Sequence, residues 1–276
     1  MRFTLISDVH IDKNPWDWCL LQHCDPTIPM VVSGDISNDV RKSCAWIAEL
    51  ATRFPLTAWV AGNHCMYNLG FFQTRLYDAK FESTWPYPRN VPEIYAHYKA
   101  WSAAHGVHFL DGDAVTLSGI QFVGATGWHN FDAAPYLSFD AQVEAWQMGM
   151  PDAPYIRWHE GYEVNFKPVL QKALEDALKL RELVRSNPDP KVVITHHVPH
   201  RNLMRFSSNN PSFNLLNGSF LNTELETVVD PSVKAWCYGH THWRDDRMIG
   251  LVRYVNNARG YRGENDSWKP VEIEVG

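Results

Sequence analysis

Asp8-Val9-His10, Gly34-Asp35, Gly62-Asn63-His64, Thr195-His196-His197 and Gly239-His240-Thr241-His242 are five short pieces, far apart in this chain, that carry metal-binding side chains. Imidazole nitrogens and carboxylate oxygens suit Zn, Fe and Mn. Asp8 and His10 are two residues apart, as are His240 and His242. On an extended loop start that spacing puts both side chains on one side, where they can grip one ion together. Two ions held ~3.5–4 Å apart need a group that touches both. Asp35, a carboxylate on a short loop, is a natural bridge. Two divalent ions set against Asp8 and Asp35 leave about two net positive charges, which favours an anion with several oxygens. Water between such ions loses a proton easily, and hydroxide attacking phosphorus in line is the obvious use.

Each piece has a plainer reading. A lone D-x-H usually means nothing, G-D after a strand is ordinary turn chemistry, and G-N-H can be a turn in which Asn takes a left-handed conformation. A pair of histidines can be satisfied core or surface. The weight falls on all five occurring together, each directly after a run that reads as a buried strand: residues 3–7, 30–33, 57–61, 192–195 and 235–238. Strands of one sheet end side by side, so loops at their carboxyl ends converge on one crevice.

The elements around those strands follow from pattern. Residues 40–52 carry Val40, Cys44, Ile47, Ala48 and Ala51 at helical spacing between two strands, a βαβ rhythm that predicts parallel neighbours. Residues 91–105 read as a helix with Ile94, Tyr95, Tyr98 and Trp101 on one face, Pro92 in its first turn and Gly106 after its end. Strands are expected at 107–110, 114–117 and 120–124, with Leu117-Ser118-Gly119-Ile120 as a hairpin turn. The strongest helix is 166–186, with Phe166, Leu170, Ala173, Leu174, Ala177 and Val184 as its apolar set and Asn187-Pro188 as its stop. A short helix at 220–229, capped by Asn222 or Thr223, and strands at 247–249, 252–256 and 271–275 complete the chain. Three stretches, 67–90, 131–163 and 198–218, show no clear period and read as loop insertions, either binding loops or surface decoration. No linker divides the chain, so one domain over residues 1–276 is expected.

With 276 residues, 45% hydrophobic and 20% charged, the chain can bury a sizeable core. Its net charge of −6 and the lack of a basic block argue against a nucleic-acid partner. Five cysteines without a C-x-x-C argue against a disulfide framework. The N-terminus runs straight into the first strand with no signal-peptide pattern, and no apolar run could span a bilayer. A cytoplasmic protein without a membrane partner is therefore expected. Twelve tryptophans point first to packing; the aromatic loops leave a homodimer open.

As a set, the five pieces resemble the calcineurin-like metallophosphoesterase superfamily, whose blocks are D-x-H, G-D, G-N-H followed by Glu or Asp, H, and G-H-x-H. The match runs from Asp8 to His242. Phe122-Val123-Gly124-Ala125-Thr126-Gly127-Trp128, Thr195-His196-His197-Val198-Pro199 and Asn256-Asn257-Ala258-Arg259-Gly260-Tyr261 resemble an uncharacterised bacterial branch of it. The resemblance implies an α/β chain folded as a four-layer αββα sandwich with metals at the sheet edge. It implies one ion on Asp8, His10, Asp35 and His242 and another on Asp35, Asn63, His196 and His240. His64 would not be a ligand: it would contact the phosphate and help protonate the leaving oxygen. Two residues depart from the pattern. Cys65 stands where an acidic residue is common, which bears on how His64 is positioned, and Ala258 stands where the branch has Pro. His197 is implied to lie behind His196 or to contact substrate. Arg259 could reach a phosphate bidentately or tie down the C-terminal strand, and Trp128 with His129 could line the pocket or the core.

The function implied is a phosphoester hydrolase using two divalent ions (Mn, Fe or Zn) and a bridging hydroxide on a small phosphorylated substrate, monoester or diester. The alternative is a non-catalytic protein-interaction module on the same fold, for which Cys65 and the aromatic content speak.

Overall fold

Eleven strands form two sheets in this computed structural model, which describes residues 1–67, 88–159 and 164–276. The first sheet contains β1 (Arg2–Ile6), β2 (Met30–Ser33), β3 (Thr57–Val60) and β4 (His108–Phe109) in sequential order, with β11 (Val271–Glu274) on the free edge of β1. All its neighbours are parallel except β11. The second sheet has the order β5 (Asp113–Leu117), β6 (Ile120–Gly124), β7 (Lys191–Ile194), β8 (Val233–Tyr238), β10 (Val252–Asn256), β9 (Asp245–Ile249). Its four central strands are parallel and both edge strands antiparallel. The expected turn joins β5 to β6 through Ser118 and Gly119, with φ of 49° and 77°. Such two-residue turns need left-handed backbone, which the glycine supplies at no steric cost.

Strands buried on both faces read as continuous apolar runs, and β2, β3 and β7 are buried at every position. The two sheets face each other through Phe3, Leu5, Val31 and Val60 on one side and Phe122, Val192, Ile194 and Cys237 on the other. The Phe3 and Phe122 rings meet edge to face at 5.5 Å. Outside the first sheet pack α1 (Val40–Arg53) and α2 (Val91–Ala104), through Ile47, Leu50, Ile94 and Tyr98. Outside the second sheet packs α5 (Lys167–Arg185), through Ala177, Leu180 and Val184. The result is the expected αββα sandwich. Local signals agree with it: Asp39 and Asn90 accept the backbone N–H groups of Lys42 and Glu93 as helix caps, and Pro92 sits in the first turn of α2.

Four expectations change. The metal-binding pieces do not follow strands of one sheet: three follow β1, β2 and β3, and two follow β7 and β8 in the facing sheet. The stretch 131–163 is not structureless where it is described. It contains α3 (Phe139–Gly149) and α4 (Asp152–Tyr155). Ser138 caps α3, and Val143 and Trp146 are buried on it, but a buried Gln142 interrupts the apolar period. Likewise 198–218 contains α6 (Pro211–Leu216), capped by Asn210, and residues 223–227 form a 3-10 helix capped by Asn222. Finally, the buried face of α5 is Val169, Ala173, Asp176, Ala177, Leu180 and Val184, whereas Leu174 is 47% exposed. A buried carboxylate shifts that face: Asp176 accepts the N–H of Gly127 at 2.9 Å and pairs with Lys172 at 2.5 Å. The expected loop at 67–90 lies almost wholly outside the described residues.

Candidate metal centre

The loops after β1, β2, β3, β7 and β8 end at the same rim of the sandwich and bring their polar side chains together. Three groups of donors each lie within 4.8 Å: Asp8, His10 and His242; His10, Asp35 and His64; Asp35, His196 and His240. Only His64 and His242 are partly exposed. The backbone that carries the donors is strained. Asp8, His10, Asp35, His240 and His242 have φ of 51°, 41°, 50°, 70° and 55°, and they make up five of the seven non-glycine residues with positive φ among those described. Left-handed backbone costs a non-glycine residue on the order of 1–3 kcal/mol and persists where function over-determines it. Both D-x-H and H-x-H are thus held by left-handed loops rather than the extended start that the spacing suggested. Gly62 and Gly239 leave no room for a Cβ: one would run into the Asp35 carboxylate, the other into Ser7 and Asp8.

Hydrogen bonds fix which atom each ring turns inward. His196 Nδ1 donates to the Ser33 carbonyl at 2.8 Å, His242 Nδ1 to Glu264 Oε2 at 2.7 Å, and His240 Nε2 to the Ser219 carbonyl at 3.2 Å. Oxygen acceptors behind an imidazole aim its other nitrogen forward, and in the neutral ring that nitrogen offers a lone pair. On one side, His242 Nε2 lies 3.0 Å from His10 Nε2 and 3.5 Å from Asp8 Oδ1. On the other, His196 Nε2 lies 2.9 Å from Asn63 Oδ1 and 3.4 Å from Asp35 Oδ2. Asn63 is turned so because its Nδ2 donates to Asp152 at 2.7 Å. Asp35 Oδ2 stands between the two groups, also 3.7 Å from His10 Nε2. The second Asp35 oxygen is occupied by the N–H of His64 at 2.9 Å.

His196 Nε2, Asn63 Oδ1 and Asp35 Oδ2 therefore converge, the two oxygens 2.9 and 3.4 Å from the nitrogen. The two oxygens call for a positive partner, which a proton on His196 Nε2, or a cation in its place, would supply. Burial opposes charge on His196, but the adjacent Asp35 prevails and raises its pKa to about 9. Burial alone pushes Asp35 up, yet His196 and His64 hold it well below the usual carboxylate range. Burial drives His10 and His240 well below theirs, despite Asp35, so both rings are neutral and able to bind a cation. The donor set, neutral imidazoles with carboxylates and one amide oxygen, fits divalent transition metals.

His64 is oriented from behind: its Nδ1 meets Asn38 Oδ1 at 2.7 Å, its ring lies on Tyr67 at 4.3 Å, and its Nε2 faces Tyr261 Oη at 3.3 Å. Asn38, three residues beyond Asp35, thus supports the ring from which Cys65 turns away. Cys65 is fully buried in the core under α1, and burial, reinforced by Asp35, pushes its thiol up to about 12. A redox-reactive thiolate has no basis there. His197 is fully buried behind His196, between Trp128, His129 and His240. Trp128 and His129 are also fully buried, the former bonded to Tyr95 Oη at 2.9 Å. Arg259 points away from the centre. Its guanidinium donates to the carbonyls of Val9 and Pro15 at 3.3 and 3.1 Å, which ties the C-terminal segment to the loop after β1.

Above the donors opens a cavity of about 750 Å³, walled by Met150, Pro151, Arg205, Phe220, Trp243 and Arg244 among others. The insertions at 131–163 and 198–218 both contribute to it. Asn38, Tyr67, Asp152, Tyr261 and Glu264 are site residues that spacing did not reveal; only Tyr261 lay in a piece singled out beforehand.

Residues 1–244 match the calcineurin-like phosphoesterase family. Among curated proteins, an uncharacterized protein of Acanthamoeba polyphaga mimivirus is 20% identical over 254 residues, covering 87% of this chain and 81% of that protein. Among solved structures, phosphopantetheinyl hydrolase from Mycobacterium tuberculosis is similar with a TM-score of 0.73 at 16% identity. That match covers 98% of this chain and 95% of the other. At that identity the likeness establishes the fold.

Proposed function

From the premise that the chain belongs to the calcineurin-like phosphoesterase family, a family of metal-dependent hydrolases, we propose that it hydrolyses a small phosphoester with two divalent cations. Asp8, His10, Asp35 and His242 would hold one, and Asp35, Asn63, His196 and His240 the other, with Asp35 shared. Mn, Fe and Zn all suit these donors. When bound, the cations supply positive charge to the phosphoryl oxygens and make a water acidic enough to act as nucleophile.

The rest is the work of the chain's own groups. The observation that carries the proposal is the convergence of His196 Nε2, Asn63 Oδ1 and Asp35 Oδ2 at 2.9–3.4 Å, where a cation could replace the proton on His196. The Ser33, Ser219 and Glu264 oxygens keep the histidines from rotating out of register. His64 lines the open cavity. With Nδ1 held by Asn38, its Nε2 is the atom that can hold a proton toward the leaving oxygen. Positioned general acids of this kind contribute about 10²–10⁴-fold. The cavity admits a small organic phosphate, since ligand pockets run roughly 300–1,000 Å³. The whole chain acts as one domain in this reading, and no described helix is long and apolar enough to cross a membrane.

The test is metal analysis of protein purified without chelator, joined to assays of an aryl phosphomonoester and an aryl phosphodiester with added Mn. Two ions per chain and turnover of at least one ester are expected. Protein that carries metal yet turns over neither would overturn the proposal.

A further inference from the structure

Among the described residues, two arginines in the cavity wall have no carboxylate to pair with. Arg205 comes from the 198–218 insertion and Arg244 follows the H-x-H loop, and both line the same space as His64, His240 and His242. Elsewhere in the chain Arg2, Arg53, Arg181, Arg201, Arg247 and Arg253 each lie within 4.0 Å of an acidic side chain. Among the described residues no ion pair or hydrogen bond engages either guanidinium in the cavity. Arg205 instead lies over the Trp243 ring, 4.5 Å from its centroid, and Phe213 meets that ring at 6.3 Å. A guanidinium stacked on an aromatic face is pre-oriented while its edge N–H groups remain free for a bidentate acceptor.

Charge sharpens the point. Two divalent cations of the kind proposed are met by the carboxylates of Asp8, Asp35, Asp152 and Glu264. The two unpaired guanidiniums add positive charge that none of these answers, which suits an occupant with more negative charge than one scissile phosphate. Both arginines are exposed, so they stay hydrated without an occupant. The chain as a whole is acidic, at −6, so a local positive cavity is not a by-product of composition.

We propose that Arg205 and Arg244 form a second anion subsite, and that the substrate is a small phosphoester bearing another anionic group, a phosphate or a carboxylate, apart from the scissile phosphate. This deepens the hydrolase reading and rests on it. Trp243 props Arg205 and also offers the cavity an apolar surface.

The test compares three probes on the metal-loaded protein: para-nitrophenyl phosphate, phosphoglycolate and a nucleoside bisphosphate. The wild type should favour one or both doubly anionic probes in kcat/KM, and which one identifies the second group as carboxylate or phosphate. In Arg205→Ala and Arg244→Ala that preference should fall by about 10–100-fold, mainly through KM, as loss of a charge-assisted hydrogen bond implies. Arg205→Lys should restore part of it, since charge returns without the fork. Wild-type turnover of para-nitrophenyl phosphate with no preference for a second anion, unchanged in both variants, would overturn the subsite and leave the hydrolase standing. If none of the probes turns over and the aryl phosphodiester is untouched as well, the hydrolase reading falls. Competition between inorganic phosphate and phosphoglycolate for binding then decides the subsite: preference lost in the variants supports it, and no preference sinks it.

Discussion

His64 and Asp35 lie side by side but differ in what they can lose. Among the described residues, the ring atoms of His64 hydrogen-bond to no carboxylate oxygen; Nδ1 meets Asn38 and Nε2 meets Tyr261 Oη at the cavity. Replacing it by Asn should leave metal content intact and lower kcat about 10²–10⁴-fold, the range for a positioned proton donor. Asp35→Asn should lose both, because one oxygen orients the His64 loop and the other faces His10 and His196. Metal analysis beside kcat separates the two outcomes; equal loss of metal in both variants would refute the division of roles. The candidate donors were readable because five pieces, each ordinary alone, occur together after strand-like runs. Their supports were not, because the Ser33 and Ser219 carbonyls, Glu264 and Asn38 acquire meaning only when folding brings them behind a ring. A further residue has consequences for pH. His129 is fully buried, and burial lowers its pKa to about 3 from an ordinary 6.5. Below pH 6.5 the unfolded chain binds a proton there that the native one does not. Stability therefore falls as pH drops from about 6.5 toward 3, by at most ~1.4 kcal/mol per pH unit for this group. Denaturant midpoints of wild type and His129→Leu at pH 7 and pH 5 should show the shallower pH slope in the variant. Parallel slopes would mean that the ring titrates in the native state.

At the scale of elements, the donors gather because parallel strands of both sheets point their carboxyl ends to one rim. The strands were legible as short buried runs, and βαβ order made β1 to β3 parallel neighbours. That β7 and β8 lie in a separate sheet was not legible from their sequences, since an inner strand reads alike in either sheet. The insertion carrying α4 reads in sequence as a binding loop or surface decoration, and its Asp152 reaches the centre. It accepts Asn63 Nδ2 at 2.7 Å and Tyr67 Oη at 2.5 Å, and Tyr67 in turn lies on His64. No pattern in 131–163 distinguishes that aspartate from its neighbours. Asp152→Asn should let the Asn63 amide turn, weakening metal binding about 10–100-fold, the usual cost of losing a group that orients a ligand. Titration of apo protein with Mn, followed by calorimetry, reads this directly. Unchanged affinity with folded protein would show that Asn63 holds its orientation unaided.

For the whole molecule, the chain begins and ends in the first sheet, with β11 paired to β1, while β5 to β10 form the second. The second sheet is one continuous stretch of chain set between β4 and β11 of the first, and their facing surfaces share one apolar layer. Separate unfolding would expose that layer, so a single cooperative transition is expected. The proposed cations would draw ligands from both sheets at once: His10 and Asn63 from loops of the first, His196, His240 and His242 from loops of the second. Metal that binds only the native state adds about 2.7 kcal/mol at a hundredfold excess over its dissociation constant. For a chain of this size that corresponds to a rise in Tm of roughly 5–10 °C. Calorimetric scans with Mn and with chelator should therefore show one transition in each case, displaced by that amount. A chelated protein that unfolds in two steps would mean that the metals, rather than the shared apolar layer, join the sheets. A scan that does not move would place the donors too far from any cation to be its ligands.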